Sequence, residues 1–242
     1  RSETAPERNA TGQLPMPFVM TLLNSESWWR TQLMARAGIG DRVEGFHAVD
    51  AAVKAGRVIA VRIEERRLKG GAYPGLADAA RSSGAEVEYV SDVRDNALTS
   101  APQGVVAVCR PKQTVSIEDA VRTTDPAALL VFDHLDDQRN LGAAIRSDVA
   151  AGLRSVVVPK RRAAPIGAAA FKAAAGTLEE VSLVEVSTIP EALRRREQLG
   201  VWCVGLDGLC ERSLFGFEML AEPVAVVVGA EGAGLHRLTA ER

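Results

Sequence analysis

The 242-residue sequence is 47% hydrophobic and 25% charged, a composition typical of a globular protein with room for one or two domains. Its 29 basic and 31 acidic residues give a formal net charge of −2, which excludes a polycation that coats any nucleic acid. Any RNA binding must therefore come from a local basic patch.

The cysteines and the apolar segments limit the cellular setting. Cys109, Cys203 and Cys210 are odd in number and follow no CxxC spacing, which argues against a disulfide framework or a zinc site. Residues 14–23, the most apolar N-terminal stretch, reach about half of the roughly 20 residues that a membrane-spanning helix needs. They also lack the basic start and the cleavage site of a signal peptide. We therefore expect a cytoplasmic protein with reduced thiols, no membrane span and no metal site.

Outside residues 14–23, residues 1–42 are mostly polar, and the segment contains prolines, so we expect an N-terminal extension that is flexible in part. Within it, Ser25 can cap a short helix that carries Trp28 and Trp29. The two indoles can dock on the protein itself or on a partner subunit, or they can stack on RNA bases.

Residues 43–110 alternate between helix and strand patterns and predict a small α/β domain. Helices are predicted over residues 45–56 and 74–84, strands over residues 58–63, 86–90 and 104–109, and a short helix near residues 93–100. Gly56 and Gly84 stand where a glycine ends a helix. Residues 111–124 then predict a linker with one or two polar helical turns.

Residues 125–242 predict a second α/β domain with a parallel sheet. Strands are predicted over residues 128–132, 155–159, 181–186, 200–205 and 223–228, with helices near residues 141–151, 166–175 and 190–198. The strands are nearly continuous runs of Val, Leu and Ala, which indicates burial on both faces. Thr188 and Gly200 mark the start and the stop of the last helix.

The polar stretch over residues 133–153 is the first candidate site, because ligands of parallel sheets bind outside the carboxyl ends of the strands. Asn140 lies near the start of the next helix, where its amide can cap the helix and orient a neighbouring group. Arg146 lies on a different part of the helix surface from Asn140. By spacing alone, Arg146 is a solvated or salt-bridged surface residue.

The second candidate site is VVVGAEGAGL, residues 226–235, where an apolar strand runs into a turn with Gly229, Gly232, Gly234 and one carboxylate, Glu231. Glycines permit a positive φ and a close approach of a ligand to the backbone. The turn does not fit the GxGxxG dinucleotide pattern and lacks the lysine and hydroxyl of a P-loop. A nucleotide-dependent oxidoreductase is therefore disfavoured.

Taken together, NLGAAIRS at residues 140–147 and VVVGAEGAGL at residues 226–235 resemble the motifs of the SpoU or TrmH branch of the SPOUT RNA 2'-O-ribose methyltransferases. The similarity is greatest to the bacterial 23S rRNA guanosine 2'-O-methyltransferases. Further similar segments are GFHAV at residues 45–49, QGVVAVCRP at residues 103–111, residues 158–186 and LDGLCERSLFGF at residues 206–217. The resemblance covers about residues 43–242.

The resemblance implies an α/β protein with two domains. Residues 125–242 would form a parallel-sheet SPOUT domain with a trefoil knot, a rare exception among folds, and residues 43–110 would form a ribosomal-protein-like RNA-binding domain. It also implies S-adenosylmethionine as the methyl donor, RNA as the substrate, 23S rRNA before transfer RNA, and an active site formed across a homodimer.

The resemblance also implies roles for particular residues. Arg146 matches the catalytic arginine of the family, and Asn140 and Glu231 match polar residues of the first and second motifs. The donor is expected against residues on two loops, namely Gly229, Ala230 and Gly232 and, after a preceding strand, Leu206, Asp207 and Gly208. Because a guanidinium is effectively always protonated in proteins, we expect Arg146 to clamp the RNA phosphate and polarise the hydroxyl rather than act as a base.

Basic clusters provide candidate RNA contacts. The candidates are Lys160, Arg161 and Arg162 after the predicted strand over residues 155–159, and Arg66 and Arg67 in the small domain. A third group, residues 194–196, is interpreted as a solvated helix face.

The sequence departs from the family pattern in two places. Asp148 stands where the family usually has a small residue, which we expect to perturb helix packing near Arg146. The family also continues past Arg242 with a third motif, which we expect in a longer protein; a shortened, inactive relative is the alternative. A non-catalytic RNA-binding module without donor binding therefore remains open beside the methyltransferase.

Overall fold

A computed structural model of the protein describes residues 38–160 and 165–241. The predictions for Trp28, Trp29, Arg161 and Arg162 lie outside these ranges. In the part of the chain that is described, no helix is long and apolar enough to cross a membrane.

The first sheet is built from residues of the predicted small domain and from Arg42, which the sequence analysis assigned to the N-terminal extension. Its strands are β1 (Arg42–Glu44), β2 (Val58–Glu64), β3 (Glu86–Val90) and β4 (Val105–Cys109). They lie in the order β1–β4–β2–β3, with β4 antiparallel to β1 and β2, and with β2 parallel to β3. Helices α1 (Phe46–Lys54) and α2 (Tyr73–Ser82) and the 3-10 segments Glu65–Lys69 and Arg94–Asn96 connect the strands.

Helices α1 and α2 end at the positions that their following glycines indicated in the sequence. Gly56 and Gly84 have φ values of +68° and +81°, a conformation that is open to glycine and ends a helix. Helix α1 buries Ala48, Val49, Ala52 and Val53, which share one helix face. Strand β1 was not predicted, because three residues are too few for a period of two to be visible.

The segment predicted as a linker contains helix α3 (Ile117–Val121), whose first turn is capped by the Ser116 hydroxyl. Ile117 and Ala120 are buried in the apolar cluster that covers one face of the second sheet. The Ser155 hydroxyl donates a 2.8 Å hydrogen bond to the carbonyl of Ala120. Helix α3 is therefore packed on the second sheet.

The second sheet has five parallel strands, as the sequence predicted. They are β5 (Ala128–Phe132), β6 (Ser155–Pro159), β7 (Ser182–Val186), β8 (Trp202–Leu206) and β9 (Val224–Val228), in the order β7–β6–β5–β9–β8. The connecting helices are α4 (Gln138–Ala150), α5 (Ala168–Ala173), α6 (Ile189–Gln198) and α7 (Arg237–Ala240), with 3-10 segments at Thr177–Glu179 and Glu218–Ala221. Because β9 inserts between β5 and β8, the loops after β5 and β9 emerge side by side.

Strand β8 corrects the prediction that these strands are buried on both faces. It is an edge strand, and the Trp202 side chain at its start is 54% exposed. The residues of β8 show no alternation that would reveal one solvated face, so sequence reasoning could not separate it from the central strands. Helix α6 begins after Thr188 and ends before Gly200, as predicted, but the Thr188 side chain makes no capping hydrogen bond.

The two sheets share one apolar core within residues Gly38–Arg242. A buried ion pair crosses between them: the Arg57 guanidinium donates to both carboxylate oxygens of Glu179, at 2.8 Å from Nε and 2.5 Å from Nη2. Arg57 also lies over the ring of Phe171, 5.4 Å from its centroid. Phe171 in turn packs so closely on Gly40 that a Cβ there would come within 2.3 Å of the ring. Tight packing of this kind fixes the first sheet against helix α5.

Candidate active site

The two sequence motifs meet through one side-chain hydrogen bond. Strands β5 and β9 pair in parallel, with Phe132 opposite Val228, so the loops that follow them leave the sheet at adjacent points. The amide Nδ2 of Asn140 donates to Glu231 Oε2 at 3.0 Å, although the two residues lie far apart in the sequence. The crevice at the carboxyl ends of β5 and β9 is therefore where ligand binding is expected in such a sheet.

The start of helix α4 differs from the sequence prediction. Asp137 is the N-cap, and its carboxylate accepts the backbone N–H of Arg139 at 2.7 Å. Asn140 is already inside the first turn, so its amide is free of a capping role and reaches Glu231 instead. Gly142 faces helix α5, where a Cβ would come within 2.3 Å of the Ala170 carbonyl oxygen. The close approach of the two helices therefore requires a glycine at this position.

The turn after β9 folds back on its own strand. Ala230 and Gly234 exchange two backbone hydrogen bonds of 2.9 Å, and Gly232 and Gly234 have positive φ values. A Cβ on Gly229 would lie 2.2 Å from the backbone of Gly234, so this position excludes any larger residue. The glycines thus shape a tight turn that carries Glu231, exposed, toward helix α4.

Asp133, a buried carboxylate, ties both loops together. Its Oδ2 accepts the backbone N–H of His236 at 2.8 Å, and its Oδ1 lies 2.5 Å from Nδ1 of His134. The rings of His134 and His236 stack with centroids 5.2 Å apart. His134 has a φ of +60°, which is strained for a residue with a side chain. Sequence reasoning missed these three residues as a cluster, although a carboxylate directly after a buried strand was the available signal.

No group of three or more His, Cys, Asp or Glu residues that could hold a metal ion occurs within the described ranges.

Arg146 is exposed on the outer side of helix α4. The inner side of the helix buries Leu141, Ile145 and Val149 in the core, which leaves Arg146 facing outward. Among the residues that the structure describes, Arg146 has no hydrogen-bond or ion-pair partner. Its guanidinium is thus not committed to a structural ion pair within that part of the chain.

Asp148 lies two residues further along the same helix. Burial raises the pKa of its carboxyl group to about 6, and its Oδ2 is buried without a hydrogen-bond partner within the described ranges. The helix nevertheless runs without interruption from Gln138 to Ala150. Asp148 is therefore a buried acid in an unbroken helix, and its expected effect on the packing near Arg146 stays a prediction.

A cavity of about 490 Å³ lies at the carboxyl end of strand β8. The predicted donor residues Leu206, Asp207 and Gly208 line it. Apolar walls come from Leu214 and Phe217. Its volume is within the range of small-molecule sites, which is about 300 to 1,000 Å³. The other predicted donor residues, Gly229, Ala230 and Gly232, lie in the turn after the neighbouring strand β9.

The predicted RNA contacts fall in different surroundings. Lys160 is exposed at the end of β6, and Arg66 donates to the buried carboxylate of Glu64 at 2.5 Å. Arg67 lies over the ring of Tyr73. The interpretation of residues 194–196 as a solvated face is wrong for Arg196, which is buried and donates to the carbonyl of Val201.

A parallel sheet with a polar crevice and an adjacent small-molecule cavity defines an α/β protein of the ligand-binding or catalytic class. Sequence comparisons define the family. A profile of the SpoU rRNA Methylase family matches residues 127–242, and a profile described as RNA 2'-O ribose methyltransferase substrate binding matches residues 42–115. The chain belongs to the SpoU methylase family.

Two curated relatives show how much of the chain the similarity covers. The 23S rRNA (guanosine-2'-O-)-methyltransferase RlmB of Escherichia coli K12 is 33% identical over 84% of this chain and 86% of its own length. RlmB of Photorhabdus laumondii is 34% identical over 82% of this chain and 84% of its own length. The similarity thus extends through both sheets.

Solved structures share the fold. The SpoU methyltransferase AviRb from Streptomyces viridochromogenes in complex with AdoMet has a TM-score of 0.67 at 22% identity, covering 91% of this chain and 82% of its own. An AdoMet-bound rRNA methyltransferase from Sinorhizobium meliloti has a TM-score of 0.67 at 19% identity, covering 83% of this chain and 74% of its own.

Proposed function

We propose that this protein is an S-adenosylmethionine-dependent methyltransferase that modifies a ribose 2'-hydroxyl in RNA. The observation that carries the proposal is the hydrogen bond between Asn140 and Glu231, which joins the two family motifs at the carboxyl end of the sheet. Membership of the SpoU methylase family supports the same activity.

The cavity beside β8 fits the methyl donor. Leu206 and Gly208 offer backbone groups, Leu214 and Phe217 offer apolar surface for a flat base, and Asp207 offers a carboxylate. These are the kinds of groups that bind a nucleoside carrying an amino acid. S-Adenosylmethionine, when bound there, supplies a methyl group on a positively charged sulfonium sulfur. This sulfur leaves as a neutral thioether, so the reaction needs no other leaving group.

The transfer needs a proton acceptor but no metal. With the donor bound, the ribose oxygen would bond to the methyl carbon as the carbon–sulfur bond breaks, S-adenosylhomocysteine would be the leaving group, and the hydroxyl proton would pass to water or to an RNA phosphate. A 2'-hydroxyl is a poor nucleophile, so alignment with the methyl group contributes much of the rate.

Arg146 is assigned to the RNA in this scheme. Its exposed guanidinium, without an ion pair in the described structure, binds the phosphate next to the target ribose and polarises the hydroxyl. Asn140 and Glu231 fix the two loops relative to each other, so that the ribose and the donor meet in one geometry. Gly229, Ala230 and Gly232 are assigned to the donor by the family resemblance, and none of them lines the cavity beside β8.

The RNA is proposed to be 23S rRNA, and the modified nucleotide a guanosine. The support is the description of the RlmB relatives, which are 23S rRNA guanosine 2'-O-methyltransferases and match 82–84% of this chain. Lys160, Arg161, Arg162, Arg66 and Arg67 are its proposed contacts. A cytoplasmic location follows from such a substrate and is proposed with it.

We also propose that the protein is a homodimer and that its second sheet carries a trefoil knot. The support for a dimer is apolar surface next to the donor cavity: Leu209 and Phe215 are each 94% exposed, and Trp202 starts the open edge of the sheet. Sedimentation equilibrium distinguishes a monomer from a dimer. A monomer at micromolar concentration would contradict a site shared between subunits.

The proposed function is tested with the purified protein in two steps. Isothermal titration calorimetry with S-adenosylmethionine is expected to show one site per chain. Incubation with methyl-labelled donor and a 23S rRNA transcript is expected to label the RNA, and the labelled linkage should resist alkali because its 2'-oxygen is blocked. RNA binding without donor binding would contradict the enzyme and indicate a non-catalytic module.

A further inference from the structure

Aromatic side chains beside the first sheet form a row with a cation at one end. The Arg67 guanidinium lies 5.5 Å from the centroid of the Tyr73 ring. The Tyr73 ring lies 5.0 Å from Phe46 and is tilted by 57° against it, and the Phe46 ring meets His47 edge to face at 5.4 Å and 83°. Arg67 and His47 are exposed, whereas Phe46 and Tyr73 are half-buried against the core. We call these four residues the aromatic ladder. Packing fixes its middle, while both ends meet solvent.

Gln103 holds the ladder in place. Its side-chain Oε1 accepts the backbone N–H of Phe46 at 3.2 Å, and its carbonyl accepts the Tyr73 hydroxyl at 2.6 Å. Gln103 itself has a φ of +60°, a strained value for a residue with a side chain. Such strain persists where the surroundings enforce it, and it occurs often at binding sites. The ladder is therefore preorganised by a residue that contributes no ring to it.

Positive charge accompanies the ladder. The 3-10 segment Glu65–Lys69 carries three cations close to Tyr73 in the sequence. Arg66 is paired with Glu64, whereas Arg67 and Lys69 form no ion pair with a carboxylate among the residues described. Flat groups for bases together with cations for phosphates are typical of surfaces that bind unpaired RNA. In a duplex, the faces of the bases are stacked and cannot reach such a surface.

We propose that unpaired bases of the RNA substrate stack on the aromatic ladder, one at the His47 end and one at the Arg67 end. This rests on the proposed function, because it names how the RNA substrate of that enzyme is held. The profile match of residues 42–115 to a substrate-binding family agrees with the location. The cations of the 3-10 segment contact the flanking phosphates.

The probe is an RNA hairpin whose adenosine loop contains 2-aminopurine, compared with a blunt RNA duplex of equal length. His47→Ala and Arg67→Ala are expected to weaken hairpin binding about 5- to 50-fold, since each base–aromatic stack contributes on this scale. Duplex binding should change less than about twofold, and His47→Phe should keep hairpin binding. Equal losses for hairpin and duplex would overturn the proposal.

Arg67→Lys separates stacking from charge, because it keeps the cation and loses the plane. We expect it to bind the hairpin as weakly as Arg67→Ala; wild-type affinity would overturn stacking at this end. Arg194→Ala is the charge control, since it removes an exposed cation, 4.0 Å from Glu191, from helix α6 on the second sheet. It should bind the hairpin like wild type, and a loss as large as that of Arg67→Ala would overturn the proposal.

Donor binding keeps the two proposals distinguishable. Each variant is titrated with S-adenosylmethionine, and an unchanged affinity shows that it is folded. If the wild-type protein methylates RNA while the ladder variants bind the hairpin normally, only the stacking proposal is contradicted. If the wild-type protein binds the hairpin through the aromatic ladder but does not bind the donor, only the proposed methyltransferase activity is contradicted.

Discussion

The backbone N–H of His236 donates a 2.8 Å hydrogen bond to the carboxylate of Asp133. This bond joins the segment after the glycine turn to the end of the central strand β5, and Asp133 is fully buried while it does so. The same carboxylate contacts Nδ1 of His134 at 2.5 Å. One acid therefore fixes the spacing of the two loops that carry Asn140 and Glu231.

Asp133→Asn tests this role. The substitution keeps an oxygen that can accept the His236 N–H but removes the charge of the carboxylate, so the bond between the two loops is no longer charge-assisted. We expect a loss of about 1–3 kcal/mol in the free energy of unfolding, measured in urea, together with weaker donor binding. Asp136→Asn, in the same loop but exposed, is the control and should change neither quantity. Wild-type stability in Asp133→Asn would show that the carboxylate does not hold the loops.

Much of the fold was predictable because its signals are local. The apolar runs from residue 128 to residue 228 predicted the five parallel strands, and the glycines at positions 56, 84 and 200 predicted helix ends. The strand order was not predictable from these signals, since the insertion of β9 between β5 and β8 depends on long-range pairing. The exposure of Trp202 escaped prediction for the same reason.

The candidate site was predictable only in part. The resemblance named Asn140, Arg146 and Glu231, but only the folded chain shows that Asn140 contacts Glu231. No sequence rule selects the Asp133 cluster or the aromatic ladder, because their members are brought together by the sheet and by the backbone of Gln103. Side-chain contacts of this kind have no fixed spacing along the chain.

The bond between Asn140 and Glu231 predicts non-additive kinetics. Asn140→Ala and Glu231→Ala should each lower kcat/KM by about 10- to 100-fold, and the double variant should lose little more, because the residues act as a unit. Glu231→Gln keeps an acceptor oxygen for the amide and should retain most activity. Multiplied losses in the double variant would mean that the two side chains act independently.

Replacing glycine by alanine should have opposite effects on stability at Gly142 and at Gly75. Gly142→Ala places a Cβ against the backbone of helix α5, and we expect a loss of about 1–3 kcal/mol in stability from the enforced separation. Gly75→Ala, in helix α2 with open space around it, should instead gain up to about 1 kcal/mol from helix propensity. The melting temperatures of both variants, compared with that of the wild type, measure these changes in stability. Stabilisation by Gly142→Ala would contradict the close approach of α4 and α5.

The burial of Asp148 should make the stability of the fold depend on pH. Its pKa is raised to about 6 by burial, so the folded state disfavours the charged form, and the resulting destabilisation grows as the pH rises from about 4 to 6. Asp148→Asn should therefore be more stable than wild type above pH 6, by about 1 kcal/mol after allowance for solvent screening. The difference should vanish near pH 4. A pH-independent difference in melting temperature would rule out this assignment.

The most direct measurement is a map of 2'-O-methyl groups on 23S rRNA after incubation with the purified protein and S-adenosylmethionine. We expect one modified guanosine with the wild-type protein and a large loss with Arg146→Lys, because an ammonium cannot reproduce the bidentate geometry of a guanidinium. Arg139→Lys, an exposed change on the same helix, should leave the modification intact. RNA that stays unmodified with a wild-type protein that binds the donor, or near-normal turnover in Arg146→Lys, would contradict the proposed reaction and the role of Arg146 respectively.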